Sequence, residues 1–135
     1  MTPPPPTGDA EPPLVLIVDD DERNRKLARD VLRAAGLRTL EAASGAEAIT
    51  LASAHLPDVI LMDLRLPDMD GADAARRLGA EARTAAIPVV ALSAVPISGG
   101  GGLVEGRFVG ALEKPIDVGA FPEQVRRYCE TSEGC

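Results

Sequence analysis

The sequence predicts an α/β domain built on a doubly wound sheet of five parallel strands with helices on both faces. Three observations predict it. Short apolar, β-rich runs recur along the chain, as expected of strands buried on both faces. Stretches with helical spacing or helix caps alternate with them. Polar residues close four of those runs, at the strand ends where open parallel sheets bind their ligands.

Composition narrows the possibilities. A chain of 135 residues has room for one core, not two. Hydrophobic residues make up 45% and charged residues 26%, as in ordinary globular chains. Aromatic residues make up only 2%, so the core is expected to be Leu, Val, Ile and Ala. Lys and Arg number 14 against 21 Asp and Glu, a net charge of −7. Nucleic acid and anionic membrane surfaces would repel such a chain. No apolar run approaches the ~18 residues of a spanning helix. The first residues lack the basic and apolar regions of a signal peptide. Cys129 and Cys135 are too few to staple a core or to hold a structural zinc. A reduced, cytoplasmic protein is expected.

Residues 1–13 carry six of the twelve prolines and read as a disordered, extended tail, leaving 14–130 as the domain and 131–135 as a flexible end. Leu14-Val-Leu-Ile-Val18 is the first strand. Asp21 to Ala35 follows as a helix, with Leu27, Val31 and Ala35 on one face and Gly36 as its stop. Leu37 to Ala42 gives a short second strand. Ser44-Gly-Ala-Glu47 is a capping box that opens a helix to about Ala54, with Ile49, Ala52 and Ser53 on or beside one face. Val59-Ile-Leu-Met62 is the third strand. A Pro-Asp-Met-Asp-Gly loop at 67–71 leads into a short helix from about Ala72 to Leu78. Ile87 to Leu92 gives the fourth strand and Phe108 to Leu112 the fifth. Val118, Phe121, Val125 and Tyr128 mark a last amphipathic helix, with Pro122 in its first turn. Right-handed crossovers then make the topology flavodoxin-like. The helix due between strands four and five is degenerate or mobile: Pro96-Ile-Ser-Gly-Gly-Gly-Gly102 stands where it should begin, and each glycine costs ~1 kcal/mol against alanine.

The strand ends carry the chemistry. Strand one ends in Asp19-Asp20-Asp21, strand three in Asp63, strand four in Ser93, and strand five in Glu113-Lys114-Pro115. Crowded carboxylates repel, and a divalent cation relieves that repulsion. All-oxygen ligands suit Mg²⁺ rather than zinc. A metal beside Asp63 would orient and neutralise an incoming phosphoryl group, and an aspartate can itself be the nucleophile. Ser93 is suited to hydrogen-bond one phosphoryl oxygen and Lys114 to pair with another. Alone, an Asp pair after a strand is a turn or helix cap, a Lys-Pro is a loop, and Ser93 is a strand-end hydroxyl. Only the constellation overturns these readings. Asp21 stays a first-turn residue, and His55 a surface residue.

Leu14-Val-Leu-Ile-Val-Asp-Asp20, Val59-Ile-Leu-Met-Asp-Leu-Arg-Leu-Pro-Asp-Met-Asp-Gly71, Val89-Val-Ala-Leu-Ser-Ala94 and Lys114-Pro115 together resemble the receiver domain of two-component response regulators. The resemblance covers roughly 14–130. It implies that Asp63 is the phosphoacceptor, and that Asp20, Asp63 and the Arg65 carbonyl hold Mg²⁺. It makes Asp19 the second acidic residue, acting on water held by the metal. Ser93 becomes the switch hydroxyl and Lys114 the phosphate-sensing lysine. The peptide bond before Pro115 is often cis in that family. The implied partners are a sensor histidine kinase or a histidine phosphotransfer protein, and a downstream protein target. No enzyme activity on an outside substrate is implied, and the few residues after Glu130 suggest a stand-alone regulator that signals by protein contact.

Two departures stand out. The family usually has Phe or Tyr three residues before the lysine, where this chain has Ala111. The other is the glycine run. Residues 95–107 are read either as a loose loop or as a segment that orders on activation. Rival functions fit less well. A haloacid-dehalogenase-like phosphatase needs a second Asp where Arg65 stands. An FMN binder would meet Asp19-Asp20-Asp21 where its phosphate belongs, and no Gly-x-Gly-x-x-Gly follows strand one for a dinucleotide. The remaining alternative is a pseudo-receiver, an interaction module of the same fold that is never phosphorylated.

Overall fold

Successive side chains of a strand point to opposite faces of a sheet, and in this chain both faces are covered. The computed structural model describes residues 12–93, 108–114 and 116–133. The elements run β1 (Leu14–Val18), α1 (Glu22–Ala34), β2 (Arg38–Ala42), α2 (Gly45–His55), β3 (Val59–Asp63), α3 (Gly71–Ala80), β4 (Val89–Ser93), β5 (Phe108–Glu113) and α4 (Phe121–Glu133). The five strands are parallel, in the order β2-β1-β3-β4-β5. The chain leaves β1 for β2 on one side and returns to β3 on the other. The carboxyl ends of β1 and β3 therefore flank the switch point of a flavodoxin-like sheet.

The apolar runs split by parity. Val15, Ile17, Val59, Leu61, Val90 and Leu92 pack with Ala28 and Leu32 of α1 and with Phe121 and Val125 of α4. Leu16, Val18, Ile60, Met62 and Val89 pack with Ala48 and Ala52 of α2 and Ala74, Ala75 and Leu78 of α3. Alanines on α2 and α3 let those helices approach the sheet closely. The core is not purely aliphatic: Phe121 is the largest fully buried side chain.

Several expectations shift by a residue or two. On α1 the buried stripe is Ala28 and Leu32, while Leu27 is 41% exposed. That is a rotation of one residue, about 100°, from the stripe of Leu27, Val31 and Ala35. On α2 Ala52 is buried as expected, but its fellow is Ala48, and Ile49 is only partly covered. Helix α3 starts one residue early and ends two residues late. Helix α4 runs to Glu133, past the expected domain end at Glu130. The register between β4 and β5 slips at Val89/Val90, so Val109 has no partner and lies half exposed. Residues 1–11, the glycine-rich stretch at 94–107, the bond at Pro115 and Cys135 lie outside the described residues.

Candidate phosphoacceptor site

Each acid of the cluster is placed by the end of a strand. Asp19 follows β1, and its amide donates to the Ala42 carbonyl at the end of β2 (3.1 Å). Asp21 is the N-cap of α1, accepting from the Arg23 amide at 2.9 Å. This is its capping role, one position before the helix begins. The Asp21 amide donates to Asp19 Oδ1 (2.9 Å), which turns the Asp19 side chain inward. Asp63 is the last residue of β3, and its Oδ1 accepts from the Arg65 amide at 3.1 Å. Asp19 is 2% exposed and Asp63 7%, whereas Asp20 faces solvent. One carboxylate oxygen of each of Asp19, Asp20 and Asp63 lies within 4.8 Å of the other two.

Lys114 completes the group. Its Nζ donates to Oδ2 of Asp19 and to Oδ2 of Asp63, both at 3.1 Å. Its own amide donates to the Ser93 carbonyl at 2.7 Å, which ties the end of β5 to the end of β4. Ser93 is buried at that end, one register step beyond the pairing of Asp63 with Leu92. Burial pushes the Asp63 carboxyl above its ordinary value, against the Arg65 amide and the Lys114 ammonium, which pull it down. Burial acts to lower Lys114, but the Asp63 and Asp19 carboxylates outweigh it and hold the ammonium above its ordinary value. The site is thus a largely covered cation between two buried anions, with a third acid at the rim.

The loop after β3 is held as firmly. The Gly71 amide donates to the Leu64 carbonyl (2.9 Å), and Arg65 pairs with Asp70 in an isolated antiparallel bridge. A Cβ at Gly71 would run into the Asp63 carbonyl oxygen and lie 2.9 Å from Leu64 Cα, so only glycine fits there. Asp68 reaches across to α2 and accepts from the Gly45 and Ala46 amides at 2.8 and 2.9 Å. Those two donors hold its carboxyl below the ordinary range. The Ser44 cap is present as expected, with Oγ accepting from the Glu47 amide at 3.2 Å. Glu47 reaches back to the Ala43 amide (2.9 Å), one residue before the cap.

The predicted site residues Asp19, Asp20, Asp63, Ser93 and Lys114 therefore meet at one edge, and Arg65 stands beside Asp63 through its backbone. His55 is exposed in the last turn of α2, and Cys129 is buried on α4. Two polar residues that matter to the site escaped the sequence reading. Arg25 donates to the Asp19 carbonyl at 2.8 Å, and Asp68 pins the loop to α2. Arg23, Arg25 and Lys26 crowd the start of α1, so the sequence alone did not single out Arg25. Next to Ala111, a cleft is lined by Leu112, Gln124, Arg127 and Tyr128, and the Tyr128 ring lies over Gly110.

The donor set fits a hard divalent cation. It consists of carboxylate oxygens and lacks the thiolates or imidazoles that softer metals prefer. No helix among the described residues is long and apolar enough to cross a membrane.

Comparison with known proteins points the same way. A family model described as the response regulator receiver domain matches residues 15–126. The polar-differentiation response regulator DivK of Brucella ovis is 38% identical over 108 residues, covering 79% of this chain and 88% of DivK. A solved response regulator structure from Chloroflexus aurantiacus is similar with a TM-score of 0.80 at 30% identity, covering 89% of this chain and 99% of that one. The receiver domain of a Pseudomonas aeruginosa sensor histidine kinase, solved with magnesium coordinated in its active-site cleft, has a TM-score of 0.78 at 28% identity. It covers 88% of this chain and 98% of that domain.

Proposed function

Because this chain belongs to the response regulator receiver domain family, we propose that Asp63 accepts a phosphoryl group from a phosphohistidine, and that the resulting acyl phosphate is the signal. The observation that carries the reading is the Lys114 ammonium, 3.1 Å from carboxylate oxygens of both Asp19 and Asp63 at the sheet's carboxyl edge. That ammonium is positioned to pair with a phosphoryl oxygen once Asp63 gives up its charge on Oδ2. The donor is a sensor histidine kinase or a histidine phosphotransfer protein. An Asp63 oxygen attacks phosphorus, the phosphorus–nitrogen bond breaks, and the histidine leaves as an imidazole.

Asp20, Asp63 and the Arg65 carbonyl would hold Mg²⁺, which when bound offsets the charge of the crowded carboxylates and of the incoming phosphoryl group. Asp19 fixes Lys114 and adds a second buried charge to the pocket. Ser93, buried at the end of β4, supplies a hydroxyl to the phosphoryl oxygens. The domain catalyses its own phosphorylation and dephosphorylation and no reaction on an outside substrate. Its signal passes to a downstream protein target in the cytoplasm. A net charge of −7 argues against nucleic acid as a direct partner. The complete acidic group with its lysine argues against a pseudo-receiver.

The test is incubation with a small acyl phosphate, with and without Mg²⁺, followed by intact mass measurement. A Mg²⁺-dependent gain of one phosphoryl group is expected. A chain that stays unmodified under both conditions would sink the proposal in favour of the pseudo-receiver.

A further inference from the structure

We infer that Arg25 is a positioning residue for the divalent-cation site, acting on Asp20 through the peptide that joins Asp19 to Asp20. The inference rests on the reading of Asp20 as a metal ligand given above. Among the described residues, no hydrogen bond or ion pair holds the Asp20 carboxylate, which lies exposed at the rim. Its place is set by the backbone it hangs from. That backbone is held at three points. The Asp19 amide donates to the Ala42 carbonyl (3.1 Å), and the Asp21 amide donates to Asp19 Oδ1 (2.9 Å). The third point is the Asp19 carbonyl, which accepts from Arg25 Nη1 at 2.8 Å. This last bond is the one that fixes the plane of the 19–20 peptide.

The guanidinium is itself clamped. Arg25 Nε donates to Glu41 Oε1 on β2 at 3.3 Å. Glu41 Oε2 accepts from Arg29 Nη1, one turn further along α1, at 3.0 Å. Arg25 is 17% exposed and Glu41 28%, so the pair is shielded on most sides. A planar fork with one prong on a carbonyl and another on a carboxylate cannot turn without breaking a bond. The relay thus runs from β2 through Glu41 and Arg25 to the peptide that carries Asp20. Residues that orient a ligand in this way commonly set metal affinity without touching the metal.

The test is calorimetric titration with Mg²⁺ alone, at a temperature where circular dichroism shows each variant folded, with the chelated Tm recorded alongside. Arg25→Gln is expected to weaken Mg²⁺ binding about tenfold. Arg25→Lys, which keeps a donor but loses the fork, should fall between Arg25→Gln and wild type. Glu41→Gln, which leaves Arg25 in place but loosens its anchor, should shift affinity in the same direction by less. Should Arg25→Gln fail to fold, Glu41→Gln and Arg25→Lys decide the matter. A merely structural arginine would lower the chelated Tm and leave the Mg²⁺ affinity of the folded protein unchanged, and that result overturns the inference. Asp20→Ala separates the two levels. If it binds Mg²⁺ as wild type does, the metal-site reading fails and the inference goes with it. If it loses binding while the Arg25 and Glu41 variants keep theirs, only the inference fails.

Discussion

The ammonium of Lys114 lies 3.1 Å from a carboxylate oxygen of Asp63, with both side chains largely withdrawn from water. The same ammonium serves Asp19 at the same distance. Removing it would leave two buried carboxylates facing each other without a counter-charge. In chelator, Lys114→Met is expected to cost on the order of 3 kcal/mol, as for the loss of one partner of a buried pair. Denaturant unfolding in chelator measures it, and a Lys114→Met variant as stable as wild type would contradict this pairing.

Asp63 is held above its ordinary carboxyl value, first by burial. A group with a raised folded value gives its full stabilisation below its unfolded value, about 3.9, and loses it as pH rises through the folded value. Above that window the ionised Asp63 works against the metal-free fold. Asp63→Asn should therefore raise the chelated Tm at pH 7, with a larger rise in the Lys114→Met background. Below about pH 3, under the unfolded value, the difference between wild type and Asp63→Asn should vanish. A chelated Tm lowered by Asp63→Asn at pH 7 contradicts the sign.

Mg²⁺ binding only to the folded chain stabilises it by mass action. At ten times its Kd the gain is about 1.4 kcal/mol, which is about 4–6 °C in Tm for a domain of this size. Asp20→Ala should erase most of that rise. Thermal melts across a Mg²⁺ series check this, and an undiminished rise in the variant places the cation elsewhere.

Gly71 sits where a Cβ would strike the Asp63 carbonyl oxygen and crowd Leu64 Cα at 2.9 Å. Backbone cannot yield as a flexible side chain does. Gly71→Ala should cost about 1–3 kcal/mol and disturb Asp63 itself. Gly45→Ala meets only the flexible Met69 side chain, with Cγ at 2.6 Å and Sδ at 2.7 Å, and should cost less. Equal losses in the two variants, measured by denaturant unfolding, would contradict the comparison.

Asp68 lies below the ordinary carboxyl range because the Gly45 and Ala46 amides donate to it. A lowered value gives stability that is present above the unfolded value, about 3.9, and is lost as pH falls through the folded one. The Tm gap between wild type and Asp68→Asn should be open at pH 7 and close as the solution is acidified past that window. A gap that is flat in pH argues that the carboxylate charge plays no part.

Much of this was legible in the sequence because the strands are buried on both faces. Leu14–Val18 and Val59–Met62 read as strands without reference to anything else, and the polar residue that ends each run marked the site. Asp19, Asp20, Asp63, Ser93 and Lys114 all stand at strand ends once the sheet is parallel, but it was the resemblance to the receiver family that singled them out from neighbours such as Asp21 and Glu113. The helix faces were less legible. Ala28 and Leu32 lie one residue from the stripe of Leu27 and Val31, and alanine and leucine alike satisfy a helical period, so the pattern did not fix the rotation of α1. Arg25, Glu41 and Asp68 were not legible, because their roles depend on partners 6 to 23 residues away that only the folded backbone brings near. Phe121 was legible on the apolar face of the last helix, although the composition, at 2% aromatic, had pointed to a core of Leu, Val, Ile and Ala alone.

In the proposed function, Asp63 is the residue that receives the phosphoryl group. Hydride reduction of an aspartyl phosphate converts that aspartate to homoserine, a change that survives digestion and can be located by peptide mass spectrometry. After treatment with a small acyl phosphate and Mg²⁺, homoserine is expected at position 63 in the wild type and at no position in Asp63→Asn. Homoserine at another aspartate, or its appearance in the Asp63→Asn protein, would contradict the assignment.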